Sequence, residues 1–108
     1  MEIHIRPLSI NKAWRGGTRY RTKEYLQYEK DFLRLLPKND IIIGEFEIDI
    51  VVHLKNYSRS DVDNFIKPIL DILVKSGLIE DDRKCTRVQI IKEKSDTDYL
   101  EITISPKI

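Results

Sequence analysis

The stretch GEFEIDIVVHLK, Gly44 to Lys55, decides the fold. Phe46, Ile48, Ile50, Val52 and Leu54 face one way, and Glu45, Glu47, Asp49 and His53 face the other. A period of two marks a strand with one face in a core and one in water. Upstream, Met1 to Arg6 alternates in the same way, with Ile3 and Ile5 set against Glu2, His4 and Arg6, and Pro7 ends it. Downstream, Arg87 to Lys94 and Asp98 to Ser105 read as two further strands around the turn Ser95-Asp96-Thr97.

Two stretches between the strands carry a helical period instead. Thr22 is a fitting N-cap, and Tyr25, Leu26, Phe32, Leu33, Leu35 and Leu36 follow it up to Pro37. Val62, Phe65, Ile66, Ile69, Leu70 and Leu73 form the second set, with Gly77 as its stop. Pro68 is tolerated only in a first turn, so regular helix begins near Asp63 or Asn64 and Asp61 stays in extended chain. Ser9 to Lys23 reads as a long loop by composition. The order strand, helix, strand, helix, strand, strand predicts an α+β fold. A small mixed sheet carries two helices on one face, in one domain over residues 1–108.

Composition narrows the class. With 19 basic and 18 acidic residues among 108, the net charge of +1 says nothing about partners. Its distribution says more. Asn11 to Lys23 holds Lys12, Arg15, Arg19, Arg21 and Lys23, with Trp14 and Tyr20 interleaved and no acid. Such a segment suits phosphates and exposed bases, which makes these five basic residues and Arg59 candidate DNA contacts. A single cysteine, Cys85, excludes an internal disulfide and a cysteine-rich zinc site, which suits a reducing compartment. No apolar run approaches the ~20 residues needed to span a bilayer, so a cytoplasmic protein is expected. His4 and His53 have no evident partners in the sequence, which favours structural roles.

The chemistry is expected where the polar loop meets the second helix. Asp61-Val62-Asp63-Asn64 stands there, and Asp82 follows that helix's end. Hard cations such as Mg²⁺ prefer carboxylate oxygens, and phosphodiester hydrolysis uses such a cation. Lys67 lies four residues after Asp63, on the same helical face. The same residues admit a plainer reading. Ser60 with Asp63 resembles a capping box, and Asp63, Lys67, Asp71 and Lys75 make a charge stripe of the kind seen on solvated faces.

Taken whole, Asp61-Val62-Asp63-Asn64-Phe65-Ile66-Lys67 and the amphipathic run after it resemble the signature of the RusA-type Holliday-junction resolvases. Gly77 and Asp81-Asp82 stand where that family has a glycine and an acidic pair, and Pro7-Leu8-Ser9-Ile10-Asn11 resembles its N-terminal element. The resemblance covers almost the whole chain. It implies a homodimeric, Mg²⁺-dependent endodeoxyribonuclease, usually encoded by phages and prophages, that nicks two opposed strands of a four-way DNA junction. It also implies that Asp61, Asp63 and Asp82 are metal ligands and Lys67 the catalytic lysine. Where the family often has a basic cluster before the acidic pair, this chain has Tyr57-Ser58-Arg59-Ser60. A non-catalytic DNA-binding module, or a Mg²⁺ nuclease for other branched DNA, are the alternatives.

Overall fold

A computed structural model describes residues 1–9, 14–15, 20–38, 41–56 and 61–107, with backbone alone for 14, 15, 20 and 21. Its centre is β4 (Phe46–Leu54), which bonds on both edges. β5 (Cys85–Lys94) runs parallel to it, and β6 (Tyr99–Pro106) runs antiparallel on the other side. β1 (Glu2–Ile3) pairs with the outer edge of β6, which gives the order β1-β6-β4-β5. The sheet is mixed and the class is α+β, as expected.

The two C-terminal strands are successive in sequence but do not pair with each other. They flank β4, and the turn between them passes over its end. There the Ser95 N–H donates to the Leu54 carbonyl at 2.9 Å, and the Lys55 N–H donates to Asp98 Oδ1 at 2.8 Å. β4 is the most apolar of the strands, and a central place satisfies both of its backbone edges.

Helix α1 (Lys23–Leu35) starts where Thr22 Oγ1 accepts the Tyr25 N–H at 3.1 Å. It ends at Leu36, held extended with φ −72° and ψ 139°, as a residue before proline prefers. Tyr25, Tyr28, Glu29 and Phe32 form its buried stripe, whereas Leu26 and Leu35, expected inward, are exposed. A stripe at i, i+3, i+4 and i+7 leaves those two on the outer side. Glu29 is buried because Lys75 Nζ from the second helix reaches its Oε1 at 2.6 Å, which compensates the buried charge.

Val62–Phe65 forms a 3₁₀ turn that leads into α2 (Ile66–Ser76), with Pro68 in its first turn and Asp61 extended before it. Phe65, Ile69, Ile72 and Leu73 pack on Phe46, Ile48, Ile50 and Val52 in one core cluster with the stripe of α1. Gly77 ends α2 in the left-handed conformation at φ 86°, and its N–H bonds the Val74 carbonyl.

The expected loop from Ser9 to Lys23 holds more structure than its composition suggested. β2 (Trp14–Arg15) and β3 (Tyr20–Arg21) pair antiparallel, with Trp14 opposite Arg21, and Lys23 opens α1. Two-residue strands are too short to leave an alternation in the sequence.

His53 also departs from its reading as a residue without partners. It sits on the sheet face away from the helices, yet is only 7% exposed. Tyr99 stacks on its ring at 4.0 Å between centroids, and Glu101 bonds its Nε2. His4 stacks on Tyr99 as well, at 5.2 Å. From His4, just past β1, across β6 to β4 these rings form a row on the open face, which supports the structural roles expected of both histidines.

A Cβ built on Gly77 meets nothing within 4 Å, so any cost of a side chain there comes from the backbone. Gly77→Ala should lower stability by about 1–2 kcal/mol, and Gly77→Asn by less, because Asn enters the left-handed region more readily. Urea denaturation of both variants measures it, and equal losses would refute the conformational cause.

Candidate active site

The site candidates gather where the parallel pair begins. Cys85, the first residue of β5, lies opposite Phe46, the first of β4. Just before it, Asp82–Lys84 forms a 3₁₀ turn. That turn brings Asp82 against the first turn of α2, where Lys67 Nζ donates to Asp82 Oδ2 at 3.1 Å across fifteen positions of sequence. Asp63 is one helical turn before Lys67, in the 3₁₀ entry to α2. Asp61 caps that entry, and its carbonyl accepts the Asn64 N–H at 3.0 Å. One lysine thus links two segments that the sequence places at opposite ends of α2.

Lys67 has a second acidic partner. Asp71 Oδ1 lies 2.9 Å from Nζ, closer than Asp82. The hydrogen bond to Asp71, then the one to Asp82, raises the lysine's pKa, so it stays an ammonium ion at neutral pH. Sequence reasoning placed Asp71 only in a surface stripe. The structure divides that stripe, because Lys75 turns to Glu29 on α1 and leaves Asp71 to Lys67.

The acidic neighbours Asp81 and Asp82 do different work. Asp81 is clamped by Arg83: Oδ1 accepts the Arg83 N–H at 2.9 Å, and Oδ2 accepts Nε at 3.0 Å and a terminal guanidinium nitrogen at 2.8 Å. Its carboxyl is thereby pulled down to about 2, first by the side-chain bond from Arg83 and then by the backbone one. Asp81 closes the turn, and Asp82 is the member of the pair that faces Lys67.

The carboxylates of Asp61 and Asp63 are exposed and have no partner among the described residues. No group of three or more His, Cys, Asp or Glu among the described residues is arranged to hold a metal ion. Asp61, Asp63 and Asp82 therefore do not form a finished cage, and Lys67 supplies positive charge beside Asp82. Their donor chemistry nevertheless fits a hard cation: carboxylate oxygens only, two of the three unengaged among the described residues. Burial raises the Cys85 thiol, so it stays protonated at neutral pH.

Of the candidate DNA contacts, Lys23 is exposed at the start of α1. Arg15 and Arg21 lie on β2 and β3, where only the backbone is described. Lys12, Arg19 and Arg59 lie outside the described residues. No described helix is long and apolar enough to cross a membrane.

Comparison with known proteins adds the family. The family model described as endodeoxyribonuclease RusA matches residues 6–105. The crossover junction endodeoxyribonuclease of Enterobacteria phage HK97 is 30% identical over 91 residues, which cover 80% of this chain and 76% of that protein. The protein of the same name from Aquifex aeolicus (strain VF5) is 28% identical over 101 residues, 86% of this chain and 80% of its own length.

The clamp on Asp81 is measurable. Its folded pKa lies below the ordinary value near ~3.9. The associated stabilisation is therefore present above about pH 4 and fades as pH falls towards 2. A carboxyl-detected NMR titration should find the midpoint of Asp81 near 2 in the wild type, and clearly higher in Arg83→Ala. An unchanged midpoint in the variant would show that Arg83 is not the cause.

Proposed function

The chain belongs to the RusA family of endodeoxyribonucleases, and on that premise we propose that it resolves four-way DNA junctions by paired, Mg²⁺-dependent nicks. The observation that supports the site assignment is the contact between Lys67 Nζ and Asp82 Oδ2 at 3.1 Å, which brings the late acidic residue to the first turn of α2, directly after the entry that carries Asp63. Asp61, Asp63 and Asp82 would hold the metal, which would supply Lewis-acid chemistry at the phosphodiester and a nucleophile at neutral pH.

The chain's own groups do the rest. Lys67, kept protonated by its acidic partners, donates to the phosphate oxygens or to the departing oxygen as charge builds there. Lys12, Arg15, Arg19, Arg21 and Lys23, with Arg59, bind the phosphate backbone and hold the junction against this acidic turn. Without such a basic surround, the carboxylates alone would repel DNA.

The protein acts in the cytoplasm as a two-fold homodimer. The open face of the sheet supports this, since Val51 and Ile91 lie side by side on it and Ile91 is 41% exposed. The strands to be cut in a four-way junction are themselves related by a two-fold axis, so two sites placed by such a dimer meet opposed phosphates together.

Asp61→Asn, Asp63→Asn and Asp82→Asn should each abolish cleavage of a labelled four-way junction in Mg²⁺ while retaining junction binding and the fold. Linear duplex and flap substrates run in parallel test the junction preference. Near-normal nicking by any one variant would remove that residue from the site.

Mixed dimers of wild type with Asp63→Asn should nick one strand well and resolve junctions poorly. A protein that sediments as a monomer at micromolar concentration yet makes paired cuts would overturn the dimer.

A further inference from the structure

Lys67 is held by two acids, and only one of them is free of any other duty in the proposed site. Asp82 is a metal ligand in that reading, and a carboxylate drawn to a divalent cation binds an ammonium less well. Asp71 has no such claim on it. It stands in the middle of α2, one turn after Lys67, with its side chain 22% exposed and its Oδ1 2.9 Å from Nζ.

Helix stability does not account for the pair. An acid four residues after a lysine is the weaker order of an i, i+4 pair, because it opposes the helix dipole. Lys67 itself occupies the first turn of α2, where the positive end of the dipole disfavours a cation. A helix built for stability alone would exchange the two charges. A lysine also hangs on a flexible four-carbon stem, and its ammonium has no fixed direction of its own.

Building on the role given to Lys67 under the proposed function, we propose that Asp71 is a positioning residue, which keeps the Lys67 ammonium at the reacting phosphate once Asp82 turns to the metal. Asp71 touches neither substrate nor metal. Its effect passes through Lys67 alone, and that sets it apart from a fourth metal ligand.

A double-mutant cycle tests this by single-turnover cleavage of a four-way junction at saturating Mg²⁺, with wild type, Lys67→Ala, Asp71→Asn and the double variant. Asp71→Asn should lose on the order of 10- to 100-fold in rate, the scale of a misplaced catalytic group. In the Lys67→Ala background the same substitution should change the rate by less than roughly twofold, as a residue acting only through Lys67 must. The Mg²⁺ concentration for half-maximal rate and the junction affinity in Ca²⁺ should not move, and Asp71→Glu should recover part of the lost rate. Carbon-13 relaxation at Lys67 Cε in the metal-free protein gives a readout apart from activity. Its motion should be restricted in the wild type and in Asp82→Asn, and freed once Asp71→Asn is added to Asp82→Asn. Additive losses, a raised Mg²⁺ requirement in Asp71→Asn, or unrestricted Cε motion in the wild type would each overturn the proposal. A full rate in Asp71→Asn beside a crippled Lys67→Ala would overturn it alone. Wild-type cleavage by Lys67→Ala would overturn the role of Lys67 as well.

Discussion

β4 and β5 lie side by side and run the same way, and the rest of the molecule is arranged around that parallel pairing. Antiparallel neighbours can be joined by a tight turn, but parallel ones oblige the chain to return to its starting end before the second strand begins. Residues 55–84 make that return. They carry the 3₁₀ entry, α2, Gly77 and the turn of Asp82–Lys84, and so every acidic residue proposed as a metal ligand. The requirement that brings the chain back to Phe46 also brings Asp82 to Lys67.

At that meeting point one lysine is shared between acids from two segments, while the neighbouring acid is tied elsewhere. Asp81 and Asp82 are adjacent and chemically identical, yet Arg83 engages the first fully and leaves the second for Lys67. The arginine matches a carboxylate with a planar fork, whereas the lysine offers a compact charge on a mobile stem. The first arrangement suits a fixed turn. The second suits a group that can change partners.

Much of this was readable in the sequence, and the parts that were not share a cause. The alternation from Phe46 to Leu54, the first-turn Pro68 and the terminal Gly77 are local signals, and the structure has them where the sequence placed them. Local pattern does not say which strands pair, so β5 and β6 read as strands around one turn although β4 stands between them. The β2–β3 pair was hidden by its shortness. The burial of His53 under Tyr99 depends on a partner 46 residues away. In the candidate site, the family resemblance selected Asp61, Asp63, Lys67 and Asp82. Asp71 escaped notice because its significance lies in what Lys75 does instead, and only the packing of α1 against α2 reveals that.

The place of β6 governs how the molecule is assembled in time. It lies between β1 and β4, so the first strand of the chain has no neighbour until one of the last has formed. Contacts so distant in sequence pay their loop-closure cost before any reward, which slows folding. On the ribosome, β4, α2 and β5 emerge with one edge of β4 bare and Ile50, Val52 and their neighbours half covered. Synthesis of Tyr99 to Pro106 then closes the sheet on both sides at once. The sheet is thus closed only by the strand that fills its middle, and a chain stalled before that strand leaves an edge of β4 open to pairing with another copy.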